Sequence, residues 1–240
     1  MEVKLINWTP EPERTVALAA RLCYSSVGVE DLNANFTKED EARFLDKLIS
    51  LGHLSPLEHV SFTFAAEGVS RALTHQLVRH RIASYSQQSQ RYVREDDFEF
   101  IVPPSIQRKP ETLALFHRTM AQINEAYKTL AELVPKEDAR YVLPQACETK
   151  IVFTFNARSL LNFFQHRLCT RAQWEIRQLA GLMLQEVRRQ APVLFAKAGA
   201  TCETEGVCYE GELSCGRVSV VKKRSSGEDE VKAGIPRPGV

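Results

Sequence analysis

The chain has 240 residues, 44% hydrophobic and 25% charged, which is enough apolar material for one generous domain or two small ones. Its 31 basic residues nearly balance 30 acidic ones, and a formal net charge of +1 disfavours a general nucleic-acid binder. The longest apolar runs, such as 151–155, are too short to span a bilayer, and residues 1–7 lack the apolar stretch of a signal peptide. Six scattered cysteines make no disulfide scaffold, so a reduced, cytoplasmic protein is expected.

Thr9-Pro10-Glu11-Pro12 opens a helix whose apolar side is read as Val16, Leu18, Ala19, Leu22 and Cys23. Residues 26–36 read as a loop. Thr37 is placed as the N-cap of a helix striped by Phe44, Leu45, Leu48 and Ile49 and stopped by Gly52. Val60, Phe62, Phe64 and Ala66 alternate with Ser61, Thr63 and Ala65, which is a strand period. A helix is expected from about Ser70 to Arg81, then a polar turn, then a strand over 98–102 closed by Pro103-Pro104. The clearest helix spans about 111–134, with Leu113, Phe116, Met120, Ile123, Tyr127, Leu130 and Val134 in a heptad-like stripe. Ile151, Phe153 and Phe155 mark another strand, and a helix over 157–168 follows it. Thr170 with Gln173 reads as a capping box for a last long helix ending near Gln190. The sum is an α+β fold, a central, mostly antiparallel sheet flanked by long helices, over residues 1–218. Residues 219–240 are charged and almost free of large apolar groups, so a disordered tail is expected there.

Arginine outnumbers lysine 20 to 11, which fits either a GC-rich coding bias or anions held in fixed geometry by planar guanidinium forks. No G-x-G-x-x-G, Walker A or H-E-x-x-H pattern is present. Gly211–Arg217 mimics phosphate-loop spacing, but Arg217-Val218 stands where Lys-Ser/Thr belongs. Cys202, Cys208 and Cys215 offer three thiolates, yet no paired C-x-x-C appears and no His follows His166, so no metal site is expected.

Chemistry concentrates between Gln76 and Tyr92. On the expected helix Gln76, Arg79 and His80 share one face, and Arg81 lies at its end. Arg91 and Arg94 follow, with no acid until Glu95, so the gathered cations call for an anion between them. An RNA- or nucleotide-binding patch would use the same arginines, although such patches interleave more aromatics than Tyr85 and Tyr92.

Arg79-His80-Arg81, Ser89 and Arg91 fit R-H-R-x7-S-x-R, and here the chain resembles the flavin-dependent thymidylate synthases. Gly52-His53-Leu54-Ser55-Pro56-Leu57-Glu58-His59 is similar to that family's G-H-x-[ST]-x-x-E-H segment. So are the segments 139–144, 156–159, 162–167 and 172–176, and the likeness runs over roughly residues 1–198.

The resemblance implies reductive methylation of dUMP to dTMP, with methylenetetrahydrofolate as methylene donor and NADPH as reductant through FAD. It implies dUMP contacts at Gln76, Leu77, Val78, Arg79, Gln87, Gln88, Ser89, Gln90, Arg91, Arg140 and Arg167. FAD contacts are implied at Ser55, Arg79, His80, Arg81, Gln87, Asn156, Ala157, Arg158 and Asn162, with His53 near flavin and folate. Arg167 is the implied catalytic residue: always charged, it stabilises negative charge building on the uracil edge. The family also implies a homotetramer with sites shared between subunits, and no nucleic-acid or membrane partner. One departure is Arg171, where members often carry a His near the flavin. No cysteine has the P-C-H-like setting of the folate-dependent synthases that use a thiolate nucleophile.

Overall fold

The computed structural model of the chain describes residues 1–34 and 37–218. Residues 219–240, where a tail is expected, lie outside the described residues.

Four strands, β1 (Glu2–Trp8), β2 (Ser61–Ser70), β3 (Ala83–Gln87) and β4 (Glu148–Asn156), form a sheet in the order β1-β2-β4-β3. Every neighbouring pair is antiparallel. Side-chain alternation decides which face is covered. Phe62, Phe64 and Ala66 of β2 and Ile151, Phe153 and Phe155 of β4 enter the core, none more than 2% exposed. Phe64 stacks on Phe153 across the pair, with ring centroids 5.5 Å apart. The opposite face is small and polar: the Thr63 and Thr154 hydroxyls bond at 2.9 Å, and Ser84, Ser86 and Val152 are exposed.

Helices form the second layer. They are α1 (Pro12–Leu22), α2 (Val29–Ala34), α3 (Lys38–Ser50), α4 (Arg71–Leu77), α5 (Pro104–Gln107), α6 (Pro110–Leu133), α7 (Lys136–Ala139), α8 (Ala157–Arg167), α9 (Trp174–Gln190) and α10 (Thr201–Thr204). Leu160, Phe163 and Phe164 of α8 and Ile176, Leu179, Met183 and Val187 of α9 close over the phenylalanines of the sheet. This is an α+β architecture with an antiparallel sheet. No helix among the described residues is long and apolar enough to cross a membrane.

Local expectations fail where tertiary contacts override pattern. The buried side of α1 is Val16, Ala17 and Ala20, because small residues let the helix lie close, while Leu22 and Cys23 stay exposed. Part of the expected loop at 26–36 is α2. Thr37 does cap α3, its side chain accepting the Asp40 N–H at 3.2 Å. The expected helix over 70–81 stops at Leu77, so Arg79, His80 and Arg81 lie beyond it, and the "polar turn" at 83–87 is the edge strand β3. The expected strand at 98–102 makes one bridge, Phe100 to Cys147. Gln173 itself caps α9, accepting the Glu175 and Ile176 N–H groups, so Thr170 is not the cap. On α6 Met120 and Tyr127 are buried, whereas Leu115, Leu133 and Val134 stay exposed.

One buried polar contact ties the layers together. Glu175, 1% exposed, accepts the Ser70 N–H at 2.7 Å and the Ser70 hydroxyl at 2.5 Å. Ser70 Oγ in turn accepts the Leu73 N–H and so caps α4. Glu175→Ala removes two charge-assisted bonds and leaves buried donors unpaired, so stability should fall by about 3 kcal/mol. Urea denaturation measures it, and a loss under about 1 kcal/mol would count against this role.

Candidate active site

The loop after α4 carries the arginine–histidine triplet, and β3 fixes its shape. Tyr85 Oη lies 2.9 Å from the Leu77 carbonyl and 2.7 Å from the His80 carbonyl, sharing its proton between them. Burial raises the phenol's pKa further above its ordinary value, so it remains a donor. The His80 N–H also bonds the Leu77 carbonyl at 3.1 Å. These contacts turn residues 78–82 away from the helix axis and towards the start of α8.

There a cavity of about 490 Å3 is lined by Glu58, Arg79, His80, Arg81, Ile82, Phe155, Asn156, Arg158, Ser159 and Asn162. Six residues of the implied flavin set therefore share one wall. Asn156 caps α8, its Oδ1 accepting the Ser159 N–H at 2.8 Å, and Ala157 is buried beneath it. Arg158 pairs with Glu58 at 2.5 Å, while Arg79 and Arg81 are exposed. Phe155 and the 74% exposed Ile82 supply apolar surface.

Arg167, at the end of α8, is joined to this wall through His80. Its Nε–H donates to His80 Nε2 at 2.9 Å, which places the imidazole proton on Nδ1. Burial first, and the Arg167 cation second, push the imidazole pKa down to about 4. The same burial lowers the Arg167 guanidinium from its ordinary value, although an arginine so shifted still keeps its charge.

The implied nucleotide set divides. Ser89, Gln90 and Arg91 lie past the far end of β3, and Gln88 donates its N–H to the Lys150 carbonyl. Arg91 pairs with Glu137, and Arg140 Nε donates to the Glu137 carbonyl at 3.1 Å. Gln90 Nε2 donates to Cys147 Sγ at 3.4 Å. Gln87 spends its amide on the Thr74 and Thr149 hydroxyls, at 3.0 and 3.2 Å. Gln76 donates to the Ala72 carbonyl, Leu77 is in the core, and Val78 is exposed. Ser55 and His53 are exposed and outside the cavity lining, but the 3-10 turn Ser55–His59 brings Glu58 into it.

Four residues escape a sequence reading. Tyr85 shows no motif signal, and Glu58 and Glu175 are visible only within segments similar to the family, with no role attached. Arg71 is the fourth: its Nη2 donates to the Gln88 carbonyl at 2.8 Å, and its Nε is buried with no partner. Burial lowers the pKa of Arg71, nearby Cys147 and Glu95 oppose the shift, and Arg140 adds a smaller lowering. An orphaned guanidinium N–H beside a second arginine is a place for an anion. Arg171 is exposed, pairs with Glu210 at 3.6 Å and lines a different cavity from Arg79 and His80.

The low pKa of His80 has a consequence for stability. The unfolded imidazole, near 6.5, takes up a proton that the folded one refuses, so stability is full above about pH 6.5 and falls as pH drops towards 4. Solvent screening of this partly open group leaves roughly 1–2 kcal/mol of that gap. His80→Gln should flatten this part of the decline, read from urea midpoints at pH 7 and pH 5. Parallel declines in both proteins would contradict it.

Comparison with known proteins identifies the family. The family model described as "Thymidylate synthase complementing protein" matches residues 4–193. A flavin-dependent thymidylate synthase of Clostridium tetani is 54% identical, over 93% of this chain and 96% of its own length. One from Geobacter sulfurreducens is also 54% identical, over 93% and 97%, and one from Pyrococcus abyssi is 43% identical, over 89% and 91%. These likenesses favour the enzyme over a nucleic-acid-binding patch built on the same arginines. With the Arg79-His80-Arg81 triplet of its motif lining this cavity, and with relatives 54% identical over nearly its whole length, the chain belongs to the flavin-dependent thymidylate synthase family.

Proposed function

We propose that the chain converts dUMP to dTMP, taking the methylene from 5,10-methylenetetrahydrofolate and reducing equivalents from NADPH through FAD. The observation that carries this reading is the grouping of Arg79, His80, Arg81, Asn156, Arg158 and Asn162 on one cavity. The donor set fits FAD. Three guanidiniums against the single carboxylate of Glu58 suit a pyrophosphate, and Phe155 with Ile82 suits a flat apolar ring. Asn156 caps α8 and Arg158 lies in its first turn, where helix dipole and backbone N–H groups favour an anion, and Asn162 follows one turn further along. Bound FAD supplies the redox chemistry of the methyl transfer.

The chain's own residues do the binding and the charge stabilisation. His80 holds Arg167 by Nε, leaving both Nη groups as a fork for the uracil edge. Negative charge building on that edge meets a preorganised cation. Arg91, Arg140 and the orphaned Nε of Arg71 form the second cationic group, suited to the nucleotide phosphate. Gln76–Val78 and Gln87–Gln90 frame the nucleotide between them, and His53 and Ser55 lie on the flavin and folate side.

The two cationic groups lie at opposite ends of β3. Ala83 pairs with Phe155 beside the flavin wall, whereas Gln87 pairs with Ile151, about 13 Å of extended chain away. A homotetramer with the family's fold resolves this, a second copy bringing its Arg91 and Arg140 to the Arg167 of the first. Uncovered apolar groups on α6, and Tyr141 at 84% exposure, supply surface for such an assembly. Residues 1–218 form this catalytic unit, which works in the cytoplasm and requires neither nucleic acid nor membrane. Residues 219–240 stand outside it.

The test is NADPH-dependent dTMP formation from dUMP and methylenetetrahydrofolate, with saturable FAD binding followed by flavin fluorescence. A folded protein that takes up no FAD and instead binds polynucleotide in a salt-dependent manner would overturn the reading.

A further inference from the structure

We propose that Cys169, Cys202, Cys208 and Cys215 form a tetrathiolate site for a zinc-class divalent cation, tying residues 199–218 to the end of α8. The proposal is independent of the flavin and nucleotide sites. All four thiols line one cavity of about 510 Å3, although they come from separate stretches. Cys169 lies just past α8, Cys202 is on α10, Cys208 is in the following loop, and Cys215 comes after the 3-10 turn Gly211–Leu213. Each is a free thiol. The sequence hid the set because 32 residues separate Cys169 from Cys202, and no C-x-x-C announces it.

The segment needs such a tie. Among residues 201–218 Cys202 is the one buried residue, while Tyr209 and Leu213 are 52% and 60% exposed. Its contacts to α8 and its C-cap are a few polar ones: Gln165 to Glu205 at 3.2 Å, Thr201 to the Gln165 carbonyl at 3.4 Å and Arg217 to the Leu168 carbonyl at 3.5 Å. A short stretch without a core is commonly held by a metal or a disulfide. Turn geometry favours the metal. Gly216 has a φ of +76° directly after Cys215, and Gly206 has +67° two residues before Cys208, a backbone region that L side chains rarely adopt. These turns fold the chain back, and Cys215 lines the same cavity wall as Thr170 and Arg217.

Four soft thiolates select a tetrahedral d10 ion over magnesium or calcium. Arg171 and Arg217 line the same cavity, each paired with a carboxylate, Glu210 and Glu203 respectively. Among the described residues no three His, Cys, Asp or Glu side chains stand close enough to hold an ion as placed. Binding requires the four thiols to close inward across the cavity, as ligands do where metal binding and folding are coupled. Each sulfur donates an electron pair to the ion and releases its proton to the buffer; nothing is oxidised or reduced.

The full chain, purified under reducing conditions without chelator, is analysed for zinc, stripped, and titrated with Co2+. About one zinc per chain is expected, with a thiolate-to-cobalt charge-transfer band on reloading. Limited proteolysis should show residues 199–218 protected with metal and cut after stripping. Cys169→Ser and Cys215→Ser should each lose the band, and Cys23→Ser, at the far end of α1, should keep it. A folded wild-type chain with only trace zinc and no cobalt band overturns the proposal. So does a band that persists in both cysteine variants, or a Cys202–Cys208-type disulfide that leaves the reduced chain unable to take up metal.

Discussion

Arg167→Ala is expected to lower dTMP formation about 10²–10³-fold while leaving the fold and FAD binding in place. The expectation follows from how the side chain is held. Its Nε–H is spent on His80 Nε2 at 2.9 Å, so the two terminal nitrogens form a fork whose direction is set before substrate arrives. A preorganised charge needs no rearrangement as the uracil ring gains electrons, and that is where such a group lowers the barrier. Arg167→Lys should also be poor, since an ammonium keeps the charge but cannot bond His80 and both uracil positions in one plane. The route through a cysteine nucleophile has no support in this geometry. No cysteine lines the arginine–histidine cavity, and burial pushes the Cys147 thiol up to about 12, where almost no thiolate exists near neutral pH. Turnover of dUMP by folded, FAD-loaded Arg167→Ala at near wild-type rate would sink the assignment of Arg167.

Legibility of the fold followed the source of each element's stability. The strands β2 and β4 are readable because alternating phenylalanines bury one face, and α8 and α9 because their apolar residues recur at helical spacing. β3 was not, since Ala83-Ser84-Tyr85-Ser86-Gln87 is too small and polar to look like a strand. It is one because it pairs with β4 at the sheet edge and Tyr85 enters the core side. The stop of α4 at Leu77 has no glycine or proline to mark it. The turn is set from outside, by the Tyr85 hydroxyl on the Leu77 and His80 carbonyls. In the site the motif residues were legible, and their division between two ends of β3 was not, because that depends on pairing register. Arg71 was invisible for a related reason: its importance lies in an unpaired Nε, which only the packing around it creates.

That division carries the other large effect. If one nucleotide is held by Arg167 of one chain and Arg140 of another, Arg140→Ala and Arg167→Ala should each be nearly inactive alone, yet active when mixed. Within one chain Arg140 lies with Glu137 and Arg71 beyond the Gln87 end of β3, while Arg167 lies with His80 at the Ala83 end. Co-expression of the two variants with separate affinity tags gives mixed oligomers. In these, random assembly places an intact Arg140 opposite an intact Arg167 at about a quarter of the sites. Activity should rise from near zero to roughly that fraction of wild type in the doubly tagged pool. Single-chain sites predict the opposite, because each chain then lacks one arginine and mixing restores nothing. The doubly tagged pool is purified through both tags, so that parent oligomers do not dilute it, and dTMP formation is measured per bound FAD. A pool no more active than its parents, with assembly shown by light scattering, would return both arginines to one chain and require the strand register to be broken for catalysis.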